Sequence, residues 1–274
     1  MTGETGAAVD ERAQVLSVER GSGRTVRALL SSPQIARSAK PMQFVMVKVR
    51  DGADPFLRRP FSLSLIRPDD GLIGITWDVV GRGTEIMALW EPGQEILVLG
   101  PLGNGLEIEP VSGQPRRLYL IAGGTGLAPM FPLAEAAKAR GWDVSVFYGA
   151  RSAEFLLDYS VFDGLGCHTQ VATDDGSLGR KAFVTDLAAA ALAGAAPGDL
   201  AVSCGPIPMT RAVKALCSGI GVDLLVSLEE RMACGTGLCK GCAVKAAVSE
   251  GYYHVCSDGP VFRAQDVDLG GAKP

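Results

Sequence analysis

Leu118-Tyr-Leu-Ile-Ala-Gly-Gly-Thr-Gly-Leu127 decides how the rest of the chain is read. Leu118–Ala122 is a continuous apolar run of strand length, the kind that is buried on both faces of a parallel sheet. Gly123-Gly124-Thr125-Gly126 follows it, and after that comes a helical pattern over roughly Leu127–Ala139. A glycine-rich turn between a strand and a helix N-terminus offers backbone N–H groups to an anion such as a dinucleotide pyrophosphate. The turn departs from the G-x-G-x-x-G of the common dinucleotide fingerprint, so its strand–helix context carries the reading.

C-terminal to this stretch, strand-type runs recur at Asp143–Tyr148, Thr169–Thr173, Asp199–Cys204 and Val222–Leu228. Helical stretches lie between them at Ala153–Phe162, Ala182–Ala193 and Pro206–Cys217. The alternation predicts a doubly wound parallel sheet with ligands at the carboxyl ends of its strands. Thr173-Asp174-Asp175-Gly176-Ser177 ends the third strand and can meet a ribose and adenine. Its two acids favour NADH over a 2′-phosphorylated cofactor, while Arg180 and Lys181 nearby leave that choice open. Cys204-Gly205-Pro206 ends the fourth strand. It either turns a thiol toward a nicotinamide or buries a small hydrophobe.

N-terminal to it, the grammar is different. Gln14–Glu19, Thr25–Leu30, Gln43–Val49, Phe61–Ile66, Leu72–Val80 and Glu95–Leu99 are short strands with turn residues between them, as in an antiparallel barrel. One helix is expected over Glu85–Trp90, capped by Thr84. Arg59-Pro60-Phe61-Ser62 opens a strand of this barrel and supplies a guanidinium fork, an aromatic ring and a hydroxyl, a set that suits a flavin dinucleotide. Alone it also fits an ordinary strand end with Arg58 and Arg59 solvated. Gly81-Arg-Gly83-Thr84, a second candidate anion site, raises the flavin reading. Pro110–Arg117, with two prolines and no periodicity, is the linker between the halves.

Near the C-terminus stands Cys234-Gly-Thr-Gly-Leu-Cys239-Lys-Gly-Cys242, followed after thirteen residues by Cys256. Cys-x4-Cys-x2-Cys with a distant fourth cysteine is the plant-type spacing of a [2Fe-2S] cluster. Gly235, Gly237 and Gly241 give the loop room to curl and let N–H groups reach sulfur. Structural zinc prefers two separated Cys-x2-Cys-like pairs. The run Glu229-Glu230-Arg231 before this loop reads as a solvated segment. His168 and His254 are the only histidines, so a hydrolytic triad or a histidine metal site is poorly supported.

The 274 residues suffice for three units: 1–112, 113–228 and 229–274. A net charge of −4 argues against nucleic acid as the main partner. The N-terminus carries no signal-peptide pattern and no apolar run is long enough to span a bilayer. Four cysteines in cluster spacing and three scattered ones, Cys167, Cys204 and Cys217, fit a reducing cytoplasm.

Arg-Pro-Phe-Ser, Gly-x-Gly-Thr, Gly-Gly-Thr-Gly-Leu-Ala-Pro and Cys-Gly-Pro, in this order, resemble the ferredoxin–NADP reductase superfamily. With Leu228-Glu-Glu-Arg-Met-Ala-Cys and the cysteine loop, the chain is similar to the electron-transfer subunits of two-subunit bacterial dihydroorotate dehydrogenases, from about Arg12 to Phe262. The resemblance implies FAD, a [2Fe-2S] cluster, NAD(H) as substrate and a place in pyrimidine biosynthesis. It implies an FMN-containing dihydroorotate dehydrogenase catalytic subunit as partner, in a heterotetramer. It carries Arg59, Pro60, Phe61 and Ser62 over as the first flavin segment. Thr76, Trp77 and Asp78 become the second, and Gly83 and Thr84 the third. Cys234, Cys239, Cys242 and Cys256 become the cluster ligands. Phe61 stands where the wider superfamily often has Tyr, which keeps the ring and removes a hydroxyl.

Two other readings stay beside this one. A related NAD(P)H–ferredoxin, sulfide- or hydrogenase-linked reductase subunit shares the same three segments. A non-enzymatic cluster- or zinc-binding regulator on a reductase scaffold would carry no flavin.

Overall fold

The computed structural model describes residues 7–111 and 116–270. Six strands close into an antiparallel barrel: β1 (Val9–Arg20), β2 (Thr25–Ser31), β3 (Phe44–Val47), β4 (Arg59–Arg67), β5 (Leu72–Asp78) and β6 (Glu95–Leu102), in the order β1-β2-β5-β4-β3-β6. Inward-facing Val15, Leu30, Val45, Leu63, Ile75 and Val98 fill it, each fully buried. This follows from the period-2 alternation of apolar residues along each strand.

Two short helices belong to the barrel. The first, α1 (Pro33–Ser38), escapes the sequence pattern because its N-terminus is capped from a distant strand. The buried Glu11 of β1 accepts hydrogen bonds from the Ser32 hydroxyl at 2.6 Å and from the Gln34 and Ile35 N–H groups at 3.1 Å. Glu11→Ala orphans all three donors. The expected cost is about 2 kcal/mol of stability, read as a lower denaturant midpoint at unchanged slope. An unchanged midpoint would show that water replaces the carboxyl group. The second helix, α2 (Arg82–Met87), begins earlier than the sequence pattern implies. Thr84 is its third residue and not its cap. The threonine hydroxyl reaches back to accept the Val80 and Gly81 N–H groups at 2.9 and 3.1 Å.

The expected linker over Pro110–Arg117 falls partly on residues 112–115, outside the described residues, as does the expected boundary at 112/113. Beyond it run β7 (Arg117–Gly123), α3 (Met130–Ala139), β8 (Asp143–Ala150), α4 (Ser160–Gly164), β9 (His168–Thr173), β10 (Arg180–Lys181), α5 (Val184–Leu192), β11 (Leu200–Cys204), α6 (Ile207–Ile220) and β12 (Asp223–Ser227). The sheet order β10-β9-β8-β7-β11-β12 is parallel throughout, as the alternation predicts.

Two helices differ from expectation. Gly124–Leu127 is a 3-10 turn, and α3 starts only at Met130. Pro132 lacks an N–H and is tolerated only in a first turn, which fixes where the helix can begin. No continuous helix fills Ala153–Phe162. A 3-10 turn at Ala153–Phe155 gives way to extended chain, where the Leu157 N–H donates to the buried Tyr148 hydroxyl at 2.8 Å.

The C-terminal segment contains the hairpin β13 (Ala243–Lys245) and β14 (Tyr252–His254), then α7 (Val255–Asp258) and β15 (Val261–Arg263). β15 pairs antiparallel with β12 and so caps the edge of the parallel sheet. The cysteine segment is thereby sewn into both neighbours. Cys242, Val255, Cys256 and Phe262 share one core with Phe44, Met46 and Leu102 of the barrel and with Val226 and Leu228 beside the sheet.

Candidate functional site

A cleft of about 850 Å³ lies where the barrel, the sheet and the cysteine segment meet. From β4 come Arg59, Pro60, Phe61 and Ser62, and from β5 come Thr76, Trp77 and Asp78. Thr84 of α2 and Thr125 of the glycine turn complete the residues expected from sequence that line it. Antiparallel pairing of β4 with β5 is what gathers residues twelve or more positions apart into one wall.

Charge is distributed unequally within this wall. Arg58 is paired with Asp10 through two bonds, at 2.8 and 2.7 Å. Arg59 bonds only to backbone carbonyls among the described residues, the nearer being Leu57 O at 2.6 Å. Among the described residues it has no carboxylate partner of the kind that Asp10 gives Arg58. Gly83 sits directly beneath it: a Cβ there would come within 3.1 Å of Arg59 Nε. The guanidinium and the α2 N-terminus thus converge on one place, which suits a pyrophosphate.

Trp77 contributes differently from Phe61. Its ring is 2% exposed, and its Nε1–H donates to Thr84 O at 3.4 Å. Phe61 tilts against it at 5.9 Å, only partly buried. Trp77 backs the wall and Phe61 faces the space. The Asp78 carboxylate is bonded to Arg24 Nε at 3.2 Å and Thr25 Oγ1 at 2.9 Å.

On the sheet side, the switch point between β7 and β11 is packed glycine to backbone. A Cβ on Gly126 would overlap the Cys204 carbonyl, and one on Gly205 would stand 2.9 Å from Gly123 N. Gly123 and Gly126 are buried, while Gly124 has open space around it and a left-handed φ of +55°. Thr173 is fully buried, and its hydroxyl donates to Leu178 O and accepts Leu178 N–H within its own loop. That leaves Asp174 and Asp175 exposed at the strand end, with Ser177 bonding Asp175 and lowering its pKa. Cys204 is 1% exposed, so the thiol does not face the cleft. Burial pushes it upward, and the neighbouring Glu229 adds to the shift while a Ser227 hydrogen bond opposes it. Ser227 and Glu229 themselves line the cleft, which places Cys204 one layer behind its wall.

Glu229, Glu230 and Arg231 are the residues that sequence reading missed. Glu229 and Arg231 are exposed and Glu230 half-buried, as a solvated run requires, and all three also line the cleft. Glu229 reaches solvent through the cleft mouth, yet protein crowds it enough for desolvation to raise its carboxyl pKa. Position was the available signal: the run follows the carboxyl end of a parallel strand, where ligands bind.

The cysteine loop begins two residues past Met232, and Pro260, four past Cys256, also lines the cleft. Gly235 (φ +73°) lies on Met46 so closely that a Cβ would overlap it, and Gly237 takes φ +82°. Gly241 does not need this freedom; Lys240 instead adopts φ +59°. Backbone N–H groups point at sulfur: Thr236 and Cys239 at Cys234 (both 3.4 Å), Gly237 at Cys256 (3.1 Å) and Cys256 at Cys242 (3.4 Å). Although burial raises it, the Cys234 thiol is brought down to about 6 by the N–H groups of Cys239 and Thr236. Burial, with the adjacent Cys242, pushes Cys256 up to about 12. Cys242 and Cys256 sulfurs are 3.2 Å apart. Amides aimed at sulfur fit an iron–sulfur cluster, where such bonds tune the potential.

Arg59→Ala should weaken FAD binding by about 10- to 100-fold, the worth of a charge-assisted fork. Arg58→Ala, losing only its Asp10 pair, should change it little. Fluorescence titration of flavin-stripped protein would separate the two, and equal effects would overturn the distinction.

A closed barrel, a parallel nucleotide-binding sheet with its switch-point glycines, and a cleft between them define an oxidoreductase of the ferredoxin–NADP reductase fold. Residues 120–215 match the oxidoreductase NAD-binding domain, and 229–268 match the iron–sulfur cluster binding domain of dihydroorotate dehydrogenase B. The chain belongs to the family of dihydroorotate dehydrogenase B (NAD(+)) electron transfer subunits. It is 40% identical to that of Fusobacterium nucleatum over 84% of this chain and 87% of the relative. It is 41% identical to that of Geobacillus kaustophilus over 94% and 98%. The solved structure of an NADH-dependent reduced ferredoxin–NADP oxidoreductase, described for flavin-based electron bifurcation, superposes with a TM-score of 0.82 at 30% identity, covering 96% of this chain and 91% of that one. The cytochrome b5 reductase domain of Ulva prolifera nitrate reductase shares the fold at a TM-score of 0.63 and 18% identity, over 78% and 93%. The chain is thus an electron-transfer oxidoreductase subunit using FAD, a [2Fe-2S] cluster and NAD(H). Among the described residues no helix is long and apolar enough to cross a membrane.

Proposed function

We propose that this chain is the conduit between NAD(H) and an FMN-containing dihydroorotate dehydrogenase catalytic subunit, in a cytoplasmic heterotetramer serving pyrimidine biosynthesis. The carrying observation is continuity. Met232 and Pro260 wall the flavin cleft and flank, within a few residues, Cys234 and Cys256. When bound, FAD exchanges a hydride with NAD(H) and single electrons with the cluster, which links a two-electron carrier to a one-electron path.

The chain's own residues do the holding. Arg59, with the α2 N-terminus at Gly83 and Thr84, would hold the pyrophosphate; Phe61 would lie against the ring system, and Ser62 would hydrogen-bond near its reactive edge. Thr76, Trp77 and Asp78 support that wall. Gly123, Gly124, Thr125 and Gly126 would take the NAD(H) pyrophosphate, Asp174 and Asp175 the ribose. Gly205 keeps the switch point open, with Cys204 behind it. Cys234, Cys239, Cys242 and Cys256 would be the ligands. Met232 packs against the apolar core that holds Met46, Leu102, Cys242 and Cys256, and would keep water out between cleft and cysteines. No residue need move a proton for hydride transfer itself. Residues 1–112, 113–228 and 229–274 would be the flavin, NAD and cluster units, with β15 returning from the last to the second.

The deciding experiment is tagged purification from the native host. An FMN protein that co-purifies and reduces NAD+ with dihydroorotate supports the reading. A preparation that instead reduces ferredoxin or polysulfide, with no such partner, assigns the chain to another reductase.

A further inference from the structure

The turn between β1 and β2 meets the segment that follows β8 of the nucleotide-binding sheet. Gly23 (φ +58°) sits on the Glu154 carbonyl so closely that any Cβ would overlap it. Arg24 lies with its guanidinium carbon 5.3 Å from the centre of the Phe155 ring. The same guanidinium bonds Asp78 on the cleft wall at 3.2 Å, and the Arg24 carbonyl accepts the Val79 N–H at 2.8 Å. One side chain therefore spans from the flavin cleft to the 3-10 turn after β8.

That turn is in turn tied to the loop at the end of β9. The Ala153 N–H donates to Ser177 Oγ at 2.8 Å, and Ser177 Oγ donates to Asp175 at 2.6 Å. The Asp174 and Asp175 N–H groups donate to the carbonyls of Ala150 and Arg151 at 3.0 and 3.2 Å. Asp175, Ser177, Ala153, Phe155, Arg24 and Asp78 thus form one connected strap. Its ends are the exposed acids at the β9 carboxyl end and the wall of the flavin cleft. A second brace, Arg67 of β4 bidentate on Glu135 of α3 at 2.8 and 2.7 Å, joins the same two units without touching either end of the strap.

We infer that Arg24 is a positioning residue for hydride transfer, fixing the nucleotide-binding loops against the flavin cleft. This rests on the conduit reading above. Reacting atoms must be held within a fraction of an ångström, and a misplacement of about 1 Å can cost 10²-fold in rate. Arg24 serves as the connector because its Nε–H bonds Asp78 while its cationic carbon lies over the Phe155 ring.

The test compares wild-type and Arg24→Ala holoprotein by anaerobic stopped-flow reduction with NADH. Arg24→Ala should slow flavin bleaching at saturating NADH by about tenfold, with unchanged FAD content and unchanged electron passage from photoreduced flavin to the cluster. Hydrogen exchange should rise in both 150–156 and 173–178. Arg24→Lys, which keeps a cation over Phe155, should recover most of the rate. An unchanged rate overturns the inference. So does loss of FAD with a normal rate per bound flavin, or a slower rate with no change in exchange. If wild-type flavin is not bleached by NADH, the conduit reading itself fails, and this inference falls with it.

Discussion

Replacing Cys239 with serine is expected to cut electron delivery to the catalytic subunit at least about 100-fold while NADH still bleaches the flavin. Changes one shell away from a metal already cost 10- to 100-fold, and this change removes a soft thiolate donor outright. Cys239 is the exposed member of the four, so the substitution leaves the shared core around Cys242 and Cys256 in place. The flavin wall on β4 and β5 is untouched by it. Dihydroorotate-dependent NAD+ reduction by the reconstituted complex, set beside NADH reduction of the isolated subunit, reads both arms. Full coupled activity would remove the cysteine loop from the electron path.

Gly126→Ala should be nearly as damaging, by a different route. Its Cβ would overlap the Cys204 carbonyl, a backbone atom of β11 that cannot swing aside. Separating β7 from β11 at the switch point should cost about 2–4 kcal/mol and abolish NADH reduction of the flavin. Gly124→Ala is the informative comparison. Nothing lies within 4 Å of its Cβ position, and only its left-handed φ resists substitution, at about 1–2 kcal/mol. Denaturant unfolding with parallel NADH bleaching should place Gly126→Ala well below Gly124→Ala. Equal losses would mean that conformation alone, and not the close approach to Cys204, governs this turn.

What sequence reading could and could not reach follows from how local each feature is. The barrel strands and the parallel sheet were legible because alternation and buried apolar runs are written residue by residue. The helix α1 was not, because its cap is Glu11, some twenty positions away. β15 was not, because a three-residue edge strand has no pattern of its own and depends on β12 beside it. Among the candidate site residues, Arg59 and the cysteines stand out in sequence by motif and spacing. Arg58 and Arg59 look alike in sequence, and only the Asp10 pair distinguishes them. Glu229, Glu230 and Arg231 are solvated, as their charge implies, and their place in the cleft wall depends on the barrel that faces them. Arg24 carried no motif, and its role emerges only where Phe155 and Asp78 converge on it.

Electrons should run along one continuous path from NAD(H) through flavin to cluster within this one chain. The most direct test is an anaerobic NADH titration followed by visible absorption and low-temperature electron paramagnetic resonance. Both the flavin and the iron–sulfur bands should bleach, with three electrons taken up per chain: two on the flavin and one on the cluster. Flavin bleaching with the cluster left oxidised, or a protein that holds zinc and no flavin, would contradict it.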